Sequence, residues 1–162
     1  MQRFLRFFGL LTAVLLLSSC GSHTVSVTAL MDEFCMAYGS MPAGKFYHSS
    51  AREWEAGYLS HALSDALFLE ENGENALSLC SEYAIFLSSS FGGGEIAFLT
   101  CQGQADAERV ADMCAMRLLR AKQASAYAPV LKEACVVQHG STVVLLMLPD
   151  NIRARDICQR LL

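Results

Sequence analysis

Basic residues are scarce in this chain and never cluster: 12 Lys and Arg stand against 16 Asp and Glu among 162 residues. That balance argues against nucleic acid as a partner, because phosphate backbones are held by concentrated positive charge. No apolar run approaches the ~18 residues of a membrane-spanning helix. The closest two cysteines are thirteen positions apart, which removes the spacing of redox dithiols and zinc knuckles. There is no Gly-x-Ser-x-Gly elbow for a nucleophile. Gly92-Gly93-Gly94 lacks the Lys-Ser/Thr of a phosphate loop and leads into an apolar, strand-like run, so it reads as a hairpin connection.

What is present begins at the N-terminus. Arg3 and Arg6 precede a largely apolar run of eleven residues, Phe7 to Leu17, and then comes "SSCGS". Such a run reaches about half of a ~30 Å hydrocarbon core, the layout of a secretory signal that is processed. Leu17-Ser18-Ser19-Cys20 resembles the lipobox of bacterial lipoproteins. The resemblance implies a diacylglycerol thioether on Cys20, cleavage before it, and acylation (palmitate or a similar chain) of the freed amine. Two or more acyl chains anchor stably without a membrane-spanning helix. Residues 1–19 are thus expected to be a signal peptide, 20–25 a short tether, and 26–162 one extracytoplasmic domain. Removing 19 residues leaves 143, enough for one core. It also leaves ten Lys and Arg against sixteen acids, a charge of −6.

Val27, Leu30, Met31, Phe34, Cys35 and Tyr38 recur at helical spacing, with Ser26 as cap and Gly39 as stop. Residues 40–56 show no sustained period and read as loop with, at best, a short extended piece. Leu59, Ala62, Leu63, Ala66 and Leu67 predict a second helix of about three turns. "CSEYAIFLSSSFGGGEIAFLTC" offers two apolar runs flanking a glycine-rich connection, a β-hairpin. A helix follows, with Val110, Met113, Cys114 and Leu118 on one face, acids at its start and Arg117, Arg120 and Lys122 at its end. A second hairpin turns at His139-Gly140, and its strand Thr142–Leu148 is apolar on both faces, so it must be covered on both. Pro149-Asp150 opens a last helix with Ala154, Ile157, Cys158 and Leu161 on one side. "ADMCAMRLL" and "ARDICQRLL" echo one another in the two units. The expected fold is α+β: a four-stranded, mainly antiparallel sheet made of two strand-strand-helix units, packed with amphipathic helices and preceded by one or two more.

With its lipobox, its central hairpin and its helix-hairpin-helix tail, the chain resembles an uncharacterised lipoprotein family of the Firmicutes, a domain of unknown function. Leu67 to Gly73, Glu82-Tyr83 and Glu95 answer to that family's recurring marks, over roughly residues 67–162 plus the signal. The resemblance implies a Gram-positive type envelope and carries no activity.

Six cysteines remain after Cys20: Cys35, Cys80, Cys101, Cys114, Cys135 and Cys158. An even count in an exported domain invites disulfides. Their apolar contexts equally suit buried thiols, which pack as small hydrophobes. Both readings stand, and a reactive or metal-binding thiol has the least support. His61 and Asp65, four apart beside Ser60 and Ser64, lack an oriented base and an oxyanion site and read as a solvated helix face. His23, His48 and His139 have no metal-ligand spacing, and Glu53 and Glu55 around Trp54 read as a solvated edge. Four aromatics, Phe46, Tyr47, Trp54 and Tyr58, concentrate in a loop-like region and form the candidate binding surface.

No catalytic residue, metal ligand or cofactor is therefore assigned, and Cys20 is the lipidation site. The leading expectation is a membrane-anchored, non-catalytic domain that binds or scaffolds an envelope protein or wall component. The alternative is an envelope hydrolase acting on wall or peptide material.

Overall fold

The computed structural model describes residues 25–89, 94–124 and 129–162. The signal, Cys20, His23 and Gly92-Gly93 lie outside the described residues.

The first helix, α1 (Val27–Tyr38), is capped as its sequence requires: Ser26 Oγ accepts from Ala29 N at 3.2 Å, and Gly39 leaves the helix at φ 81°. Strand β1 (Gly44–His48) follows, then α2 (His61–Phe68), whose cap is Ser60. At eight residues α2 is shorter than the three turns its spacing predicts, because Leu69 turns extended and pairs with Asn75 across a tight turn. A 3₁₀ turn (Ala76–Leu79) leads into β2 (Cys80–Ser88) and β3 (Glu95–Cys101). Then come α3 (Gln104–Ala124), a second 3₁₀ turn (Pro129–Leu131), β4 (Cys135–His139), β5 (Thr142–Met147) and α4 (Asn151–Leu161). Both expected hairpins are present.

The sheet is antiparallel throughout and has five strands, in the order β1-β2-β3-β5-β4. Four were expected, and the fifth is β1, within the stretch read as loop. Five residues are too few to show a period, and β1 is held by long-range pairing, Gly44 opposite Ser88 through His48 opposite Ala84. Gly44 is demanded by contact: a Cβ there would lie 2.4 Å from Leu87 O and 2.5 Å from the Phe86 ring.

The central strands β3 and β5 are buried on both sides, as the two-sided apolar pattern of β5 requires. On one face Ile85, Ala97, Leu99, Val143 and Leu145 pack under α3 and α2. On the other Phe86, Ile96, Phe98, Val144 and Leu146 pack under α1 and α4. Each such side chain, fully removed from water, is worth roughly 1.5–3 kcal/mol, so this three-layer burial dominates the fold. The two strand-strand-helix units send their helices to opposite faces, which makes the nine-residue echo a likeness of helices only.

One polar residue joins the layers. Asn151, buried at the start of α4, places its Nδ2 2.7–2.8 Å from the carbonyls of Leu148, Val130 and Lys132, while its Oδ1 accepts from Leu148 N at 2.8 Å. It thereby ties the end of β5 to the second 3₁₀ turn.

Candidate functional site

Helix α3 carries three arginines that bind the segment after α2 and the start of β3. Arg117 makes a two-pronged pair with Glu95 (Nε to Oε1 3.0 Å), donates through Nη1 to Leu67 O at 2.9 Å, and lies over the Phe68 ring at 5.6 Å. Arg120 meets Glu70 at 2.6 Å, and Arg109 pairs with Glu74. Glu95 is a buried charge, and such a group is tolerable only when paired and hydrogen-bonded as it is here. Glu82 points to the opposite face, where its Oε2 accepts from Val27 N at 3.2 Å and helps cap α1. Leu67, Glu70, Glu82 and Glu95 thus all sit in scaffold contacts, whereas Tyr83 lines a cavity.

The four candidate aromatics do not form one surface. Strand alternation sends neighbours to opposite faces. Phe46 rests half-exposed on Phe86, with centroids 4.9 Å apart, on the α1/α4 side. Tyr47 packs against the core on the α3 side. Trp54 is 79% exposed on the turn beyond β1. Tyr58 lines a cavity.

That cavity, of about 470 Å³, lies between α2 and the start of β2 and is lined by Tyr58, His61, Ser64, Asp65, Asn75 and Tyr83 among others. It gathers the histidine, serine and aspartate that sequence spacing places on one helix turn. Ser64 Oγ and Asp65 Oδ1 both accept from Asn75 Nδ2, at 3.0 and 2.9 Å. Ser60 is spent as the α2 cap. Among the described residues no hydrogen bond joins His61 to Ser64 or Asp65, so the nucleophile–base–orienter chain of a hydrolase is not assembled. Burial, and secondarily the nearby Tyr58 ring, raise the Tyr83 phenol above its ordinary value. At neutral pH it is a neutral hydroxyl that can both donate and accept. Two tyrosines and a fixed Ser-Asn-Asp set make a wall suited to holding a polar group beside an apolar one. Asn75 and Tyr83 escape sequence reasoning, because they reach the cavity through the 3₁₀ turn and the β2 pairing.

A second groove, of about 520 Å³, runs along the outer side of α3, where Met113, Met116 and Leu119 are rimmed by Glu70, Glu71 and Asp112. Its lining has no nucleophile beside a base.

The six cysteines are all free and divide three and three between the faces: Cys80, Cys101 and Cys114 on the α3 side, Cys35, Cys135 and Cys158 on the other. Burial raises every one of these thiols. Cys35 reaches about 11, helped by Asp32, and Cys158 about 12, helped by Cys135. Cys114 also reaches about 12, with Glu95 adding to burial. Thiols so held are protonated and poor nucleophiles at neutral pH. No group of three His, Cys, Asp or Glu side chains among the described residues is arranged to hold a metal. Nor is any described helix long and apolar enough to cross a membrane.

Compared with models of protein families, with curated proteins and with solved structures, the chain shows no match.

Proposed function

We propose that this protein is an extracytoplasmic lipoprotein, anchored through Cys20 and related to the Firmicutes-type family it resembles, whose domain binds or scaffolds another envelope component without catalysing a reaction. The observation that carries the non-catalytic part is the Asn75 clamp: Ser64 and Asp65, two side chains a hydrolase would use, both accept from Asn75. The hydrolase alternative would have to use this same cavity.

The anchor also orients the domain. Ser26 lies six positions beyond Cys20, a reach of about 20 Å when extended. Val27 meets Glu82, so on this reading the end of the sheet carrying Glu82 and Tyr83 lies within the tether's reach of the bilayer. The component bound there is a membrane-proximal protein or glycan.

Two experiments test this reading. Cys20→Ala is expected to abolish lipid labelling and shift the protein out of the membrane fraction; unchanged labelling overturns the anchor. A photoreactive residue in place of Tyr58 is expected to give a reproducible adduct in native membranes, while one in place of Leu119 gives none. Absence of adducts at Tyr58 overturns the assignment of the cavity, and turnover of wall peptides that Ser64→Ala abolishes would establish the hydrolase instead.

A further inference from the structure

Cys80 and Cys101 face each other across the β2–β3 hairpin as Cα partners. Residues further along this hairpin pair in strict register, from Leu87 opposite Glu95 to Glu82 opposite Thr100. Continued unchanged, that register would set Cys101 against Ser81. A bulge between Cys80 and Glu82 advances β2 by one residue, and Cys80 takes the place. The bulge also turns Cys80 to the α3 face, where Cys101 already points.

The pairing geometry is of the close kind. Cys101 N donates to Ser141 O at 2.9 Å, on the β5 side, and so is not bonded across to β2. Opposed residues in such a non-hydrogen-bonded pair have Cα atoms about 4.5 Å apart and side chains nearer still. Disulfides need Cα separations of roughly 4.4–6.8 Å. Both side chains pack into the same cluster on the α3 face. Cys80 Sγ donates to Ala76 O at 3.3 Å, and this polar contact is lost on oxidation without burying a charge. Cys80 is partly exposed, whereas Cys101 and Cys114 are 3% and 1% exposed. An external disulfide can therefore reach Cys80 first.

We infer that Cys80 and Cys101 are a latent disulfide, closed by exchange with a disulfide oxidant, and that the other four described cysteines stay as thiols. The Cys80 thiolate attacks the oxidant's disulfide, forming a mixed disulfide and expelling one oxidant thiolate. The Cys101 thiolate then attacks Cys80 Sγ, forming the Cys80–Cys101 bond and expelling the second. Two protein thiols are oxidised, one oxidant disulfide is reduced to two thiols, and the two protons pass to those leaving groups. The geometry stands wherever the chain resides; that the bridge closes in the cell rests on the extracytoplasmic reading above.

The test uses the full chain in detergent, treated with oxidised glutathione, alkylated and mapped by peptide mass spectrometry. One bridge joining the Cys80 and Cys101 peptides is expected, with a higher Tm that reductant reverses. Both thiols are raised by burial, so the closure rate should rise about tenfold per pH unit between pH 7 and 9 as thiolate accumulates. Cys80→Ala should abolish the bridge and Cys114→Ala should leave it. A bridge mapping to Cys101 and Cys114, or none after prolonged oxidation at pH 9, overturns the inference. A bridge that forms in vitro while both cysteines are recovered as alkylated thiols from cells lysed directly into denaturant with alkylating reagent upholds the pairing and overturns the extracytoplasmic assignment.

Discussion

The two faces of the sheet are closed by different means. On one, α1 and α4 meet over aromatic rings: Phe34 stacks on Tyr38 at 5.8 Å and meets Phe98 edge-on at 5.7 Å. The helices are joined there by Asp150 N donating to the Tyr38 hydroxyl at 3.1 Å and by Arg153 over the Tyr38 ring. On the other face α3 presents small residues, Ala107, Val110 and Cys114, and leans on the 67–74 segment and the start of β3 through three arginine–carboxylate pairs. Length explains the contrast. A helix of 21 residues runs to about 31 Å, whereas the seven residues of β3 span about 23 Å. Arg109 and Arg120 fasten α3 to Glu74 and Glu70, outside the sheet, while Arg117 neutralises the buried Glu95 on β3 itself. Where a helix matches the sheet, non-directional burial suffices.

Substitutions should separate these modes. Phe34→Ala, which empties the centre of the aromatic layer, is expected to lose about 3–5 kcal/mol in urea unfolding; a loss below 1 kcal/mol would mean that layer is not closed by packing. Arg117→Met strands the buried Glu95 carboxylate and should cost about 3 kcal/mol. Adding Glu95→Leu should recover most of that, because two apolar groups can replace a buried pair. A double variant no better than the single would show that the pair supplies more than mutual neutralisation. The faces should respond alike to alkali, since each holds a buried thiol raised to about 12, Cys114 and Cys158. The unfolded thiols ionise near 9 while the folded ones stay protonated, so reduced protein should keep its stability below pH 9 and lose it progressively as pH rises from 9 towards 12. Cys114→Ala should flatten that decline in Tm, and an unchanged slope would exclude its thiol as a cause. Least affected should be Arg109→Ala: this arginine is 53% exposed, and an exposed pair contributes under about 1 kcal/mol, a loss read directly from the urea midpoint.

The legible parts were those whose cause is local. The cap Ser26, the stop at Gly39, the apolar stripes of α1, α3 and α4, and both hairpins follow from residues within a turn or two of one another. The requirement that β5 be covered twice was legible as well, because an unbroken apolar run leaves no solvated face. The strand β1 was not, since its partner Leu87 is remote from Lys45 in sequence and Gly44 earns its place only against the Phe86 ring. The arginine pairs were hidden for the same reason: Arg117 and Glu95 are 22 residues apart, Arg120 and Glu70 50. The candidate aromatic patch dissolved because consecutive residues of a strand, Phe46 and Tyr47, point to opposite faces.

By itself the sequence determined the order of the elements from α2 onward and the two-sided core strand, each a matter of neighbouring residues and their period. Only the tertiary structure decided which cysteines meet and that Asn75 holds both Ser64 and Asp65 beside α2. Those depend on register and layer packing, and a single bulged residue, Ser81, is enough to exchange one partner of Cys101 for another.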